Sequence, residues 1–308
     1  TIVGATHLQS TVSVGGAATF ASTVTVVDNA VFTADIVKKT AGTSNFAAGV
    51  NAGDAIESGG NYNVVIGDEA GTAITTGDNN TLVGYGAGDA MTTPGNNSAL
   101  GFDALGAVTD GFQNVAIGSY AGNAITTGDN HVAVGHDALG AVTTGNDNVG
   151  VGSDAGGDLT TGYHNVLVGS YAGNTMTTGI KNTIVGYSAG DAITTSPYNT
   201  LVGANAGSAI STGSGENVCI GNSAGAAMTT GQQNVIIGDN AAASGAITGT
   251  VNTVIGDNAG YAMTGDTNGN TLVGAAAGDA ITTGDNNTAF GAYALTSEDE
   301  SSAITAIG

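Results

Sequence analysis

Arginine and tryptophan do not occur in this chain; lysine occurs three times, as Lys38, Lys39 and Lys181, proline twice and cysteine once. Each shortage excludes something. Three bases against 25 acids leave a formal net charge of −22, which repels phosphate backbones and disfavours a nucleic-acid partner. Anionic membrane surfaces are disfavoured for the same reason, although divalent cations are attracted. The single cysteine, Cys219, rules out an intrachain disulfide and reads as a small buried hydrophobe. No apolar run approaches the ~20 residues of a spanning helix, so membrane insertion is not expected, and no signal peptide is visible. Charged residues make up only 9% of the chain, far below the ~25% of ordinary soluble domains. The surface must therefore be built from Thr, Ser, Asn, Gln and backbone.

What is present is glycine, at 53 of 308 positions, within a composition 41% hydrophobic. No Gly-x-y triplet accompanies it, which excludes collagen, and the Val, Ile and Ala content argues against disorder. The glycines belong to a repeat. The pattern Asn-[Val/Thr]-x-[Val/Ile]-Gly-x-x-Ala-Gly-x-Ala-[Ile/Met]-Thr-Thr-Gly recurs from Asn45, its first glycine falling at Gly49, Gly67, Gly84 and onward in steps of seventeen or eighteen to Gly291 and Gly308. The alanine three residues later is present from Ala52 to Ala294, and the asparagine four residues before the glycine fails only at His131 and Ile304. A fixed period of this kind is the signature of a solenoid.

Each column has a physical role. Asn-Val-Val-Ile-Gly (63–67) reads as a short strand of β-branched residues. Val64 and Ile66 face one way and Val65 the other; because both sets are often apolar along the array, the strand needs two apolar neighbours. One is the interior of its own coil and the other is another chain or layer, which predicts an oligomer. Ala-[Ile/Met]-Thr-Thr predicts a second strand with Ile74, Met91, Ile125, Met176, Ile193 and Ile281 pointing inward. Gly-Asp-Asn (77–79, 128–130, 284–286) is the polar turn between coils, and the stacked asparagines predict a ladder of side-chain amide bonds. The fold class is thus all-β: a parallel β-solenoid or β-roll of about sixteen seventeen-residue coils over residues 45–308, in total very roughly 75 Å long at ~4.8 Å per coil. Residues 1–44 carry a different, twelve-residue period (Val12, Val24, Ile36; Phe20, Phe32) and read as a β-rich shaft and connector. A chain starting at Thr1 and stopping at Gly308 in mid-repeat reads as a segment of a longer polypeptide.

Asn-Val-Ala-Ile-Gly-Ser-Tyr-Ala-Gly (114–122) resembles the head repeat of YadA-type trimeric autotransporter adhesins, whose unit is shorter and lacks the extra Thr-Thr-Gly. The longer unit at 79–90, Asn-Asn-Thr-Leu-Val-Gly-Tyr-Gly-Ala-Gly-Asp-Ala, and Val-Gly-Gly-Ala-Ala-Thr-Phe at 14–20 are similar to repeats of bacteriophage tail-fibre and virion appendage proteins. The resemblance implies a homotrimeric, extracellular attachment structure on a virion, contacting other tail or fibre proteins and a host cell-surface glycan or protein. The alternatives are the head of a bacterial surface adhesin or a subunit of an extracellular filament.

No site of catalysis, cofactor binding or metal binding is assigned from the sequence. Gly84-Tyr-Gly-Ala-Gly (84–88) brushes against a dinucleotide fingerprint but recurs in related form in every coil, without the strand-to-helix context that motif requires. Two acid columns, Asp54, Asp89, Asp191 and Asp279 in one and Asp78, Asp129 and Asp285 in the other, offer oxygen ligands of the kind calcium takes, though they read as solvated turn acids. His131 and His136, five apart across a corner, invite a metal at a symmetry axis without a supporting ligand cluster; His7 and His164 stand apart. Thr-Thr pairs such as Thr126-Thr127 hint at an ice-binding face, but adjacent strand residues point to opposite sides. An enzyme is not expected.

Overall fold

The computed structural model describes residues 41–213, 215–297 and 300–308. The twelve-residue period expected over 1–44 falls almost wholly outside them. Sixteen three-residue strands, one per coil, run from β1 (Phe46–Ala48), β2 (Val64–Ile66), β3 (Thr81–Val83) and β4 (Ser98–Leu100) to β15 (Thr288–Phe290) and β16 (Thr305–Ile307). They form one parallel sheet in sequential order. Register is fixed by the repeat: Val65 pairs with Leu82, and Leu82 with Ala99. The fold is the expected all-β solenoid, about fifteen turns at seventeen- or eighteen-residue spacing. Fifteen steps of ~4.8 Å give the stack a length of about 72 Å.

The middle residue of each strand is the one that enters the core. Val65, Leu82, Leu167 and Ile236 are buried, and below them stack the corner alanines and a second apolar column, as in Val65–Ala70–Ile74 and Leu82–Ala87–Met91. The flanking strand residues, Val64 and Ile66 in that coil, therefore face outward. Ile66 remains 37% exposed.

The Ala-[Ile/Met]-Thr-Thr segment forms no strand, contrary to the sequence-based expectation, although its Ile and Met side chains do point inward. The reason is local. The N–H of Ile74 closes a turn onto the carbonyl of Gly71 (3.2 Å) and so cannot pair with the next coil. The N–H groups of Thr75 and Thr76 then converge on one carbonyl, that of Thr92, at 2.8 and 3.3 Å. A strand ladder needs alternating donors and acceptors, which this geometry does not supply.

The corner glycine column is explained by close approach. Gly84 has φ +138°, and a methyl on it would overlap the carbonyl of Gly101 in the next coil. More surprising is the residue before each ladder asparagine. From Ser44 to Ala303 it lies in the left-handed region, whether it is Asn79, Tyr62 (φ 58°), Lys181 (φ 55°) or Val251 (φ 61°). Bulky residues rarely accept this conformation. Here it is held by a bond from the residue's own N–H to the preceding coil, as from Tyr62 to the Thr43 carbonyl (3.0 Å) and from His164 to Asn146 (3.0 Å).

At three coils, core volume is exchanged between two columns. Most coils place Gly after the corner alanine, but Leu105, Leu139 and Leu295 stand there, all at positive φ. Their coils carry only alanine at the strand centre, Ala99, Ala133 and Ala289. Leu105 and Leu139 are fully buried. A methyl built on Gly150, the strand centre of the coil after Leu139, would come 2.7 Å from Leu139 Cγ. Leu105 and Leu139 thus reach the interior from the corner, and they also fill the coil that follows each, where Ala116 with Gly122 and Gly150 with Gly156 supply little volume.

Candidate functional site

The asparagine column is buried and satisfies its own polar groups. The N–H of Asn80 donates to Asn63 Oδ1 (2.9 Å), while Asn80 Nδ2 donates to the Pro94 carbonyl (3.0 Å) and to Asn63 Oδ1 (3.1 Å). The same pattern continues through Asn165, which accepts from the Asn182 N–H (3.0 Å) and donates to Gly179 (2.8 Å). This confirms the expected ladder.

His131 occupies one rung of that ladder. Its Nδ1 accepts from the Asn148 N–H (3.2 Å) and its Nε2 meets the Gly145 carbonyl (2.7 Å), so the ring reproduces the oxygen and the amide nitrogen of asparagine. These partners require the neutral tautomer protonated on Nε2. Burial pushes its pKa below the ordinary histidine value, against a smaller upward contribution from the Gly145 carbonyl. Within the chain both ring nitrogens are thus engaged in the ladder. His136 is exposed on the corner, its ring 6.2 Å from that of Tyr120. His136, Asp137 and Asp154 do bring one ligand atom each within 4.8 Å of one another, the only such grouping among the described residues. Asp154 Oδ2 also takes a bond from Ser153 Oγ (2.6 Å). His164 instead lies beside Asp147, Nδ1 to Oδ2 3.6 Å, both exposed.

The two acid columns separate in role. Asp78, Asp129 and Asp285 each accept a backbone N–H from the preceding coil, from Asn61 (2.6 Å), Phe112 (2.7 Å) and Asn268 (2.7 Å). They are turn acceptors, held more firmly than the solvated acids first expected. In the other column, burial raises Asp89 and Asp191 above their ordinary carboxyl value, with the Asp103 charge adding to the effect at Asp89. Asp279 has one oxygen, Oδ1, buried without a hydrogen-bond partner. Cys219 is buried and its thiol is pushed up to about 12 by desolvation, an inert core group rather than a nucleophile.

The threonine pairs also divide. Thr126 Oγ1 donates to the Thr143 carbonyl (3.1 Å) and Thr143 Oγ1 to Thr160 (3.2 Å), whereas Thr127, Thr144 and Thr161 are exposed. Only one of the two columns is turned fully to solvent. At the glycine corner Tyr85, Phe102 and Tyr120 form an aromatic row with centroid spacings of 5.3 and 5.2 Å. This row has no fixed repeat position, since Tyr120 lies one residue further from its glycine than Phe102 does, and column reading overlooked it.

The largest continuous feature is the outer face of the sheet. Its first column contains only Phe, Val, Thr and Ser, and its second, from Ile66 to Ile307, only Val, Ile, Leu and Phe. No charged residue interrupts either column over sixteen strands. Leu100 is 52% and Phe290 59% exposed. A shallow apolar cavity of about 150 Å³ opens on this face between Val83, Leu100 and Ile117. Among the described residues no helix is long and apolar enough to cross a membrane. No protein-family model, curated protein or solved structure matches the chain.

Proposed function

We propose that the chain is a structural segment of an attachment fibre, of the kind found in phage tail fibres and virion appendages, and that it works as a homotrimer. The observation that carries this reading is the uncharged outer face. The chain has a net charge of −22, yet none of its acids enters a strip sixteen strands long. As a flat surface that strip is roughly 500 Å², taking ~6.7 Å between its two columns and ~72 Å of stack. That area lies in the range of the largest patch on an ordinary monomer, which is often functional; half of its first column is Thr or Ser, and the second, from Ile66 on, is wholly apolar. Strand propensity alone is a weaker account: it accepts threonine, which the first column uses freely and the second does not use at all.

A second copy of the same chain is the occupant that fits. Identical coils stacked at the same rise present matching columns along their whole length, so a closed assembly about a common axis buries every strip equally. The proposed role is mechanical rather than catalytic: the rods hold more distal parts away from the particle, join other tail or fibre proteins, and contact a host-surface glycan or protein. Three copies turn weak individual contacts into avidity. The extracellular setting belongs to the same proposal.

Multi-angle light scattering on the purified chain tests the assembly. The expected mass is three times the 29.5 kDa of one chain. A Val168→Glu/Val185→Glu variant, which places two carboxylates on the strip, is expected to fall to one chain with an unchanged far-UV spectrum. A single-chain mass for the unsubstituted protein refutes the trimer, and open-ended growth favours a filament.

A further inference from the structure

The +1 and +2 positions after each corner glycine carry the side chains that clothe that corner: Asp68 and Glu69, Phe102 and Asp103, His136 and Asp137, Asp257 and Asn258. One described coil carries alanine at both, Ala275 and Ala276. The result is a notch of about 360 Å³ with these alanines as its floor. Asp257, Asn258 and Tyr261 wall it from the preceding coil, Tyr293 from the following one, and Asp279 from its own.

Three features mark the notch as more than a gap in the repeat. First, Ala276 sits at φ +52°, a region that asparagine, aspartate or glycine occupies more readily. Asn258 holds the same place one coil earlier (φ 53°), so local conformation favours the residue that would fill the notch. Second, Asp279 Oδ1 is the buried acceptor without a hydrogen-bond partner noted above, and such a group calls for a donor. Asp279 also lines the notch, so its carboxylate, short of one partner, offers its other oxygen to a donor seated there. Third, the backbone around the notch is held by inter-coil bonds. Ala276 N–H is bound to the Asp257 carbonyl (2.8 Å), Tyr293 N–H to Ala275 (2.8 Å), and Ala262 N–H to Asp279 (3.1 Å).

We propose that this notch binds a saccharide, one or two rings of a neutral or amino sugar. Its volume lies at the small end of the ~300–1,000 Å³ of ligand pockets. Two carboxylates and an amide supply acceptors for ring hydroxyls, and hydrogen bonds to a charged acceptor are the stronger kind. Tyr261 and Tyr293, 44% and 71% exposed, offer aromatic faces and phenolic hydroxyls to the apolar and polar sides of a sugar. The same carboxylates repel uronic and sialic acids. None of the notch residues lies on a strand, so the site is separate from the outer sheet face. This inference gives the attachment reading a receptor class and rests on that reading for its biological sense.

Saturation-transfer NMR on the full chain, with the methyl glycosides of glucose, galactose, mannose and N-acetylglucosamine as probes, tests it. Transfer to at least one glycoside is expected. Asp279→Asn, which keeps the shape and removes the charge, should weaken that binding about tenfold, the loss expected for one charge-assisted bond. Ala276→Asn places a residue suited to the left-handed region on the notch floor and should abolish transfer while leaving the fold intact by circular dichroism. No transfer to any of the four, or undiminished transfer in Ala276→Asn, overturns the site. Transfer to N-acetyl-lysine methylamide but to no glycoside overturns the ligand class in favour of a basic peptide. Light scattering on the same samples separates the two readings: glycoside binding by a single-chain species leaves the site standing without the trimer, and a trimer without binding does the reverse.

Discussion

Leu105 is the sharpest place to test how the solenoid keeps its interior filled. It is fully buried, it lies at φ 54°, and its coil has only Ala99 at the strand centre. Leu105→Gly removes a buried leucine, a loss of about 3–5 kcal/mol when the cavity does not collapse. Relief of the left-handed backbone returns about 1 kcal/mol, and the added freedom of glycine in the unfolded chain takes back a similar amount. The net expectation is a destabilisation of about 3–5 kcal/mol. Ala99→Leu alone forces a second leucine into a filled space and should cost about 1–3 kcal/mol. The two together convert the coil to the Leu82–Gly88 arrangement of its neighbour and should return to within about 1 kcal/mol of the parent. The coupling energy is then about 3 kcal/mol or more in favour of the double variant. Stacked repeats can lose all-or-none unfolding, so urea midpoints should be joined by hydrogen exchange at the Leu105 amide, which is bound to the Ala121 carbonyl at 3.1 Å. If the losses of the two single variants simply add in the double variant, volume exchange between columns is not what selects these leucines.

Two further outcomes follow from the ladder. The unfolded chain binds a proton at His131 near pH 6.5, whereas in the fold burial lowers that pKa; the stability it supports is present above about pH 6.5 and is lost as pH falls through the lowered value. His131→Asn should keep the fold and flatten this acid-side decline in thermal midpoint; an unchanged slope would show that the histidine does not set it. Asn165→Ala leaves the Asn182 N–H and the Gly179 carbonyl buried without their partners, at about 1–3 kcal/mol each, and a urea midpoint within error of the parent would contradict the ladder's role.

The coil was legible because its determinants recur. The Asn and Gly columns, the corner alanines and the largely β-branched strand each repeat a narrow choice of residues for one physical reason, and period alone locates them. The second strand was misread because Ala-Ile-Thr-Thr has strand composition, while its outcome is decided by the hydrogen bond from Ile74 to Gly71. The left-handed column before the asparagines was invisible for the opposite reason: Tyr62, Lys181 and Val251 share a backbone state that none of them prefers, imposed by the coil before. The exceptional positions were hidden as well. Ala275 and Ala276 look like ordinary variation in a tolerant column until their walls are seen, and His131 looks like a lost asparagine until its two nitrogens are traced.

The main inter-coil hydrogen bonds connect one turn to the next, so they run along the stack. Tension applied along that axis therefore loads successive coils in series, and each coil resists with only its own rungs. When one gives way, seventeen residues are released and extend up to about 60 Å, in place of a rise of ~4.8 Å. A pulled solenoid of this kind lengthens in steps, dissipating work coil by coil while the remaining turns stay wound. Its uniformity makes it an extensible tether whose reserve of length is more than ten times its resting span.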